Sequence, residues 1–277
     1  MSGRQRAGRR PSGPRAWDEV APSETSRTSP ALPPSRTAGE DETGDAAART
    51  LVRRVVENLD GEYGAKRNRL NGKPLDTLVG IILSQQNSSA SSHACFSELK
   101  RRFPTWEDAL AADVGDIEDA IRRGGLARIK AERIKAILRN LLDRHGSLEL
   151  AGLSELPTDD AVAELVRLPG VGPKTARCVL LFALGADVFP MDVHIFRIAE
   201  RLGIIAPKTP DERAHRVVGA LIPDGRRYSA HVNMVEHGRT TCRPTAPKCD
   251  TCCLLEYCVF GQYRLDDLVD VTHDPRS

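Results

Sequence analysis

"LPGVGPKTA", residues 168–176, sets two glycines, two prolines and one lysine between two apolar stretches of helical spacing. Gly170 and Gly172 can take positive φ, or let a neighbouring backbone come close, because no Cβ stands in the way. Pro169 and Pro173 fix φ, and Pro173 suits the first turn of a helix, where its missing N–H is no loss. The stretch therefore predicts a helix, a connection of about five residues, and a second helix whose N-terminal amides point outward. Such amides, with the helix dipole behind them, favour an anion. This is the physical content of a helix-hairpin-helix, which grips a nucleic-acid backbone without reading its sequence. Gly170, Val171 and Gly172 are the residues expected to meet that backbone.

The flanks carry the same helical period. "DDAVAELVRL" leads into the hairpin and "KTARCVLLFALG" leaves it, closed by Gly185. Upstream, "LVRRVVENL" repeats apolar residues at helical spacing, and Pro74 opens "LDTLVGIILSQQ". "IKAILRNLLDRHG" places Ile134, Ile137, Leu138, Leu141 and Leu142 on one face and stops at Gly146. No run of alternating strands interrupts this pattern, so the fold class is all-α.

The chain has 277 residues, 40% of them hydrophobic but only 4% aromatic, so Leu, Ile, Val and Ala must fill the core. No apolar run reaches the length of a membrane helix, which predicts no membrane partner. A net charge of +2 does not call for nucleic acid on its own, so any basic patch must come from distribution. Residues 122–139 are such a region, with Arg122, Arg123, Arg128, Lys130, Arg133, Lys135 and Arg139 against Glu132. Residues 1–46 are rich in Pro, Ser, Gly, Ala, Thr and Arg, show no apolar period and read as a disordered tail. An Arg- and Ser-rich, acid-poor start is also the composition of an organelle transit peptide.

Five of the seven cysteines fall between Cys242 and Cys258. Cys242, Cys249, Cys252 and Cys258 give C-x6-C-x2-C-x5-C, in which four thiolates can converge on one object. Either zinc or a [4Fe–4S] cubane takes four thiolates. A single C-x2-C with flanking single cysteines fits a cubane better than a zinc ribbon, although both remain open on spacing. Cys253 offers an alternative ligand beside Cys252, while Cys95 and Cys178 read as small core hydrophobes.

"LPGVGPKTA", then "PMDVHIFRI", then "HGRTTC" and the cysteine cluster together resemble the endonuclease III family of DNA base-excision glycosylases. The likeness runs from about residue 47 to residue 263. It implies a six-helix barrel domain with the helix-hairpin-helix over residues 74–185. A second helical domain, residues 47–73 and 186–263, would carry a [4Fe–4S] cluster on the four cysteines of the C-x6-C-x2-C-x5-C pattern. Residues 264–277 would form a C-terminal tail, and the active site would lie in the cleft between the domains.

The resemblance also implies the chemistry. Lys174 would attack C1′ of a deoxyribose, the damaged base would leave, and a Schiff base followed by β-elimination would cut the strand on the 3′ side. Asp192 would stabilise positive charge on the sugar and help move the lysine proton. A stacked base must leave the duplex first. Gln86 in "LSQQNSS" aligns with the glutamine that enters the vacated space, and Leu126 in "GGLARIKAERIK" with an apolar wedge. Where the family has Thr-Asp this chain has Ser88 and Ser89, which removes an acid near the base pocket. Arg243 and Lys248, in the cysteine loop, are candidate phosphate contacts. His194 is a candidate for orienting the site or a satisfied buried histidine, and His237 reads as structural.

The expected function is a bifunctional DNA glycosylase and AP lyase of base excision repair, acting as a monomer on double-stranded DNA with oxidised pyrimidines or abasic sites. The alternatives are a monofunctional mismatch-type glycosylase, against which Lys174 argues, and a non-catalytic DNA-binding iron–sulfur protein. Location would be cytoplasmic, with the nucleoid, in a bacterium, and nuclear or mitochondrial in a eukaryote.

Overall fold

In the computed structural model the residues described are 42–272, and among them helices and their connections form the whole architecture, with no strand. The helices in chain order are α1 (Glu42–Tyr63), α2 (Pro74–Ser84), α3 (Ser89–Arg102), α4 (Trp106–Ala111), α5 (Val114–Ala120) and α6 (Ala127–His145). Then come α7 (Thr158–Val166), α8 (Pro173–Val179), α9 (Val193–Arg201), α10 (Asp211–Leu221), α11 (Arg227–Thr240) and α12 (Val259–Thr272). α8 runs on into a wider π turn over Leu180–Leu184 and stops at Gly185, which has a φ of 67°.

Local chemistry sets the ends of these helices. Pro74 stands in the first turn of α2, where it lacks only an N–H that would go unpaired. Thr105 and Asp108 make a reciprocal capping box on α4, and the Ser88 hydroxyl accepts from the Ser91 amide to start α3. Gly146 ends α6 at a φ of 65°, its amide on the Leu142 carbonyl at 2.8 Å.

The buried side chains fall into two cores. The first is built by α2 to α8, with Leu78, Ile82, Leu99, Ile117, Ile134, Ile137, Leu138, Leu141 and Leu165 at its centre. The second is built by α1 and by α9 to α11, with Val52, Val55, Val56 and Leu59 of α1 against Ile195, Ile198, Ala214, Val218 and Met234. That set from α1 lies at i, i+3, i+4 and i+7, one helix face. Asn233 of α11, fully buried, ties α1 in place through Asp60 Oδ1 at 2.8 Å and the Gly64 carbonyl at 3.1 Å. No helix among the described residues is long and apolar enough to cross a membrane.

Three local readings change. Residues 42–46, expected in the disordered tail, begin α1, and Ala46 to Ala48 favour the helix. The rest of that tail lies outside the described residues. Residues 264–272 continue α12 rather than forming a tail, and 273–277 lie outside the described residues. Leu142, placed on the inner face of α6, is 42% exposed, because the buried stripe of that helix ends at Leu141.

Candidate active site and nucleic-acid interface

The hairpin joins α7 to α8. Leu168 and Val171 close it with backbone bonds, Leu168 N–H to Leu165 O and Val171 N–H to Leu168 O, both 3.1 Å. Gly170 takes a φ of 71°, where an L side chain is strained. A Cβ there would also fall 2.6 Å from Arg133 Nε. Gly172 differs: its φ is −94°, and an added Cβ would meet no atom within 4 Å. The two glycines thus do separate things, one making the turn and the other leaving an open face. Val171, expected at the nucleic-acid surface, is 5% exposed and packs into the first core, so its side chain anchors the hairpin from beneath.

Lys174 is exposed in the first turn of α8, just after Pro173. Asp192 is the N-cap of α9, and its Oδ1 accepts from the amides of His194 at 2.9 Å and Ile195 at 3.0 Å. An ordinary cap and a functional carboxylate are not alternatives here, because the two amides hold the group in one orientation. Lys174 and Asp192 line the same open cleft of about 590 Å³, with Met191, Val193, His194, Phe196 and Arg197. α8 packs on the first core and α9 on the second, so the amine and the carboxylate reach the cleft from different halves.

Behind the cleft lie two buried groups that carry no charge. Burial pushes the Cys178 thiol up to about 11. His231 is held down to about 4, chiefly by desolvation, and its Nδ1–H donates to the Pro190 carbonyl at 2.9 Å.

α9 also reaches the cysteine loop, a link that sequence reading missed. Arg197 donates from Nε to the Cys242 carbonyl at 2.9 Å, and from Nη2 to the Gly238 carbonyl at 2.8 Å and to His194 Nδ1 at 3.1 Å. His194, half-buried, is thereby fixed against α11, and Gly238 is required there because a Cβ would fall 2.6 Å from His194 Cβ. One turn on, Arg201 donates to Cys242 Sγ at 3.2 Å and to the Arg243 carbonyl at 2.9 Å. The only sequence signal for either arginine is its spacing of i, i+4 from the other.

Cys242, Cys249, Cys252 and Cys258 line one cavity with Arg201, Leu255, Phe260 and Gly261. Cys258 Sγ accepts from the Gly261 amide at 3.3 Å and Cys252 Sγ from the Leu254 amide at 3.4 Å. Cys253 does not line the cavity. Burial raises the Cys249, Cys252 and Cys258 thiols, the last to about 12. His237 stays structural: burial holds it down to about 4, and it meets the Tyr63 hydroxyl at 3.0 Å. Arg243 and Lys248 are exposed on this loop, Arg243 Nη2 donating to the Ala246 carbonyl at 3.1 Å.

Gln86 and Leu126 occupy a second surface, fully apart in sequence yet adjoining in space. Both are non-glycine residues with positive φ, 51° and 61°. A Cβ on Gly125 would be 3.7 Å from the Gln86 carbonyl, so the two turns pack on each other. Leu126 is 48% exposed, and Ile129, three residues on, adds 51% of an apolar side chain to the same face.

The basic region over residues 122–139 is smaller than its charge count. Lys130 is 3% exposed with its Nζ on the Leu83 carbonyl at 3.0 Å, and Lys135 is turned in to the carbonyls of Leu110 and Ala112. Arg128 pairs with Glu132 and Glu118, Arg122 with Asp119, and Arg133 bonds Gln85. A charge count cannot see this, since i, i+3 and i, i+4 partners and inward carbonyls absorb the cations. Arg123 and Arg139 remain exposed.

Comparison with known proteins agrees with this arrangement. The family model described as HhH-GPD superfamily base excision DNA repair protein matches residues 79–221. A candidate DNA glycosylase of Arabidopsis thaliana is 39% identical over 201 residues, 70% of this chain and 68% of that protein. Endonuclease III of Thermotoga maritima is 32% identical over 214 residues, 77% of this chain and 93% of that protein. The solved structure of a trapped endonuclease III–DNA covalent intermediate, an estranged-adenine complex, superimposes with a TM-score of 0.66 at 28% identity, covering 78% of this chain and 98% of that one. The chain therefore belongs to the HhH-GPD superfamily of base excision repair DNA glycosylases, within the endonuclease III family.

Proposed function

We propose that this protein is a bifunctional DNA glycosylase and AP lyase that removes oxidised pyrimidines from double-stranded DNA and cleaves the strand 3′ to the resulting abasic site. The observation that carries the reading is the meeting of Lys174 and a rigidly capped Asp192 in one open cleft beside the hairpin. Superposition on a covalent endonuclease III–DNA intermediate supports a nucleophile rather than an activated water.

The steps follow from the residues present. The hairpin and the exposed Arg123, Arg139, Arg243 and Lys248 hold the strand by its phosphates. Gln86 and Leu126, projecting from adjoining turns, fill the stack when the nucleotide swings out. The Lys174 amine then forms a bond to C1′ as the glycosidic bond breaks, and the base leaves as an anion that takes up the proton the amine gives to Asp192. Asp192, whose Oδ1 is committed to two amides, stabilises the positive charge on the sugar and takes the proton lost by the amine. Opening of the sugar ring gives an imine between Lys174 and C1′. Loss of a C2′ proton then expels the 3′ phosphate, and water releases the lysine.

Cys242, Cys249, Cys252 and Cys258 would hold a [4Fe–4S] cluster. The four cysteines line one cavity, where Cys252 and Cys258 accept backbone N–H bonds at sulfur and the Arg201 guanidinium donates to Cys242 Sγ. When bound, the cluster supplies a stiff support for the loop next to α9; the reaction transfers no net electron. Protein purified without oxygen should carry about four irons per chain. Stoichiometric zinc would overturn this assignment.

The test of the activity is a panel of duplexes, each with one lesion, in which base release and strand cleavage are read separately. Release and cleavage should proceed together on oxidised pyrimidines such as thymine glycol, and borohydride should trap a covalent adduct. Release without cleavage or trapping would make the protein a monofunctional glycosylase.

A further inference from the structure

Arg133 has no part in the steps above, yet it sits between the two surfaces that must act together. Its Nη1 donates to Oε1 of Gln85 at 3.0 Å. The other edge of the same side chain lies over the hairpin, where a Cβ on Gly170 would fall 2.6 Å from Nε and 3.1 Å from Cζ. One planar group therefore spans the turn that meets the backbone and the residue just before Gln86. Lys130, on the same face of α6 three residues earlier, fixes the Leu83 carbonyl at the end of α2.

Gln86 needs such fixing. A non-glycine residue at a φ of 51° is strained and persists only where its surroundings hold it. On the far side Gly124 is the packing partner, since a Cβ there would fall 2.9 Å from Asn87 Nδ2. On the near side the holding groups are Lys130 and Arg133, both from α6, the helix that opens at Leu126. A lysine at 133 would keep the charge. It would lose the flat guanidinium that both fits over Gly170 and donates to an amide oxygen.

We propose that Arg133 is a positioning residue that couples the hairpin's grip to nucleotide flipping, by holding Gln85 so that Gln86 stays in its left-handed conformation, aimed at the vacated space. This rests on the reading of Gln86 as the residue that fills the stack. It explains why a helix otherwise placed to offer cations to DNA turns this one inward.

The test compares two duplexes in single-turnover base release. In one the lesion is paired; in the other it lies opposite an abasic site and is already loosened, so flipping is less costly. A 2-aminopurine beside the lesion reports flipping without base release. Arg133→Met and Arg133→Lys should each flip and release the paired lesion about tenfold more slowly than wild type, and the loosened lesion at nearly the wild-type rate. Gln85→Leu should reproduce this, and combining it with Arg133→Met should add little. Affinity for undamaged duplex should stay within about twofold. Equal slowing on both duplexes would overturn the proposal, as would wild-type flipping by Arg133→Lys or a matching loss of affinity for undamaged DNA. A wild type that flips the lesion but releases no base would count against the glycosylase reading and leave the flipping comparison intact.

Discussion

Lys174 and Asp192 both stand at the start of a helix, and the two helices begin in opposite ways. α8 opens on Gly172, which offers no side-chain cap, and on Pro173, which offers no amide; Lys174 is left exposed on a flexible stem. α9 opens on Asp192 itself, its carboxylate pinned by two amides, and is bound at its other turns to α11 and the cysteine loop through Arg197 and Arg201. The difference matches the work proposed for each group. An amine that forms a bond to C1′ and is later released must move with the sugar. A carboxylate that stabilises a transient charge is most effective when it is already in place.

The comparison breaks most sharply at the amine. Lys174→Gln should abolish borohydride trapping, read as loss of the adduct band on a lesion duplex, while leaving the hairpin and duplex binding intact. Robust trapping in that variant would move the nucleophile elsewhere.

At the carboxylate, two variants separate chemistry from capping. Asp192→Asn keeps a good N-cap, so base release should slow by about a hundredfold with little change in stability. Asp192→Ala should slow release as much and also lower stability by about 1 kcal/mol, seen in urea melts. Equal stability for the two variants would mean that the cap does not hold the group.

The hairpin glycines give a third, smaller contrast. Gly172→Asp meets open space, so the protein should fold normally, yet its affinity for damaged and undamaged duplex should fall roughly tenfold at low salt. Gly170→Ala should instead destabilise the fold by about 1–2 kcal/mol, because the residue is in the left-handed region. Normal binding by a folded Gly172→Asp variant would reduce the hairpin to a structural turn.

At neutral pH the mildest effect is expected from His231, whose titration is silent there. Its folded pKa of about 4 lies below the unfolded value, so the unfolded chain binds the extra proton first. The stability it contributes is complete above pH 6.5 and is lost as pH falls from there toward 4, by up to about 1.4 kcal/mol per pH unit. His231→Phe should flatten that slope while lowering stability at neutral pH, since the Pro190 carbonyl loses its donor. An unchanged slope in urea melts between pH 6.5 and 4.5 would place the titration elsewhere.

Much of this molecule can be read along the chain, because short-range chemistry governs it. The all-helical class follows from the apolar period, the stop of α6 from Gly146, and the hairpin turn from Gly170, whose left-handed φ no other residue adopts as easily. The resemblance to the family likewise rests on short motifs of fixed spacing, and the family model matches residues 79–221 around the hairpin and Asp192. What the chain could not announce is the direction in which its long side chains turn. Lys130, Arg133 and Lys135 read as cations for DNA and instead satisfy carbonyl and amide oxygens, because helix packing carries those acceptors to them. Val171 reads as a DNA contact and lies in the core, since the turn that exposes Gly172 points its neighbour inward. Arg197 and Arg201 show nothing in sequence beyond their i, i+4 spacing, and they become the link between α9 and the cysteine loop because helix packing brings them partners 41 and more positions away. Local spacing sets backbone conformation; the partner of a flexible cation is chosen only when separate helices meet.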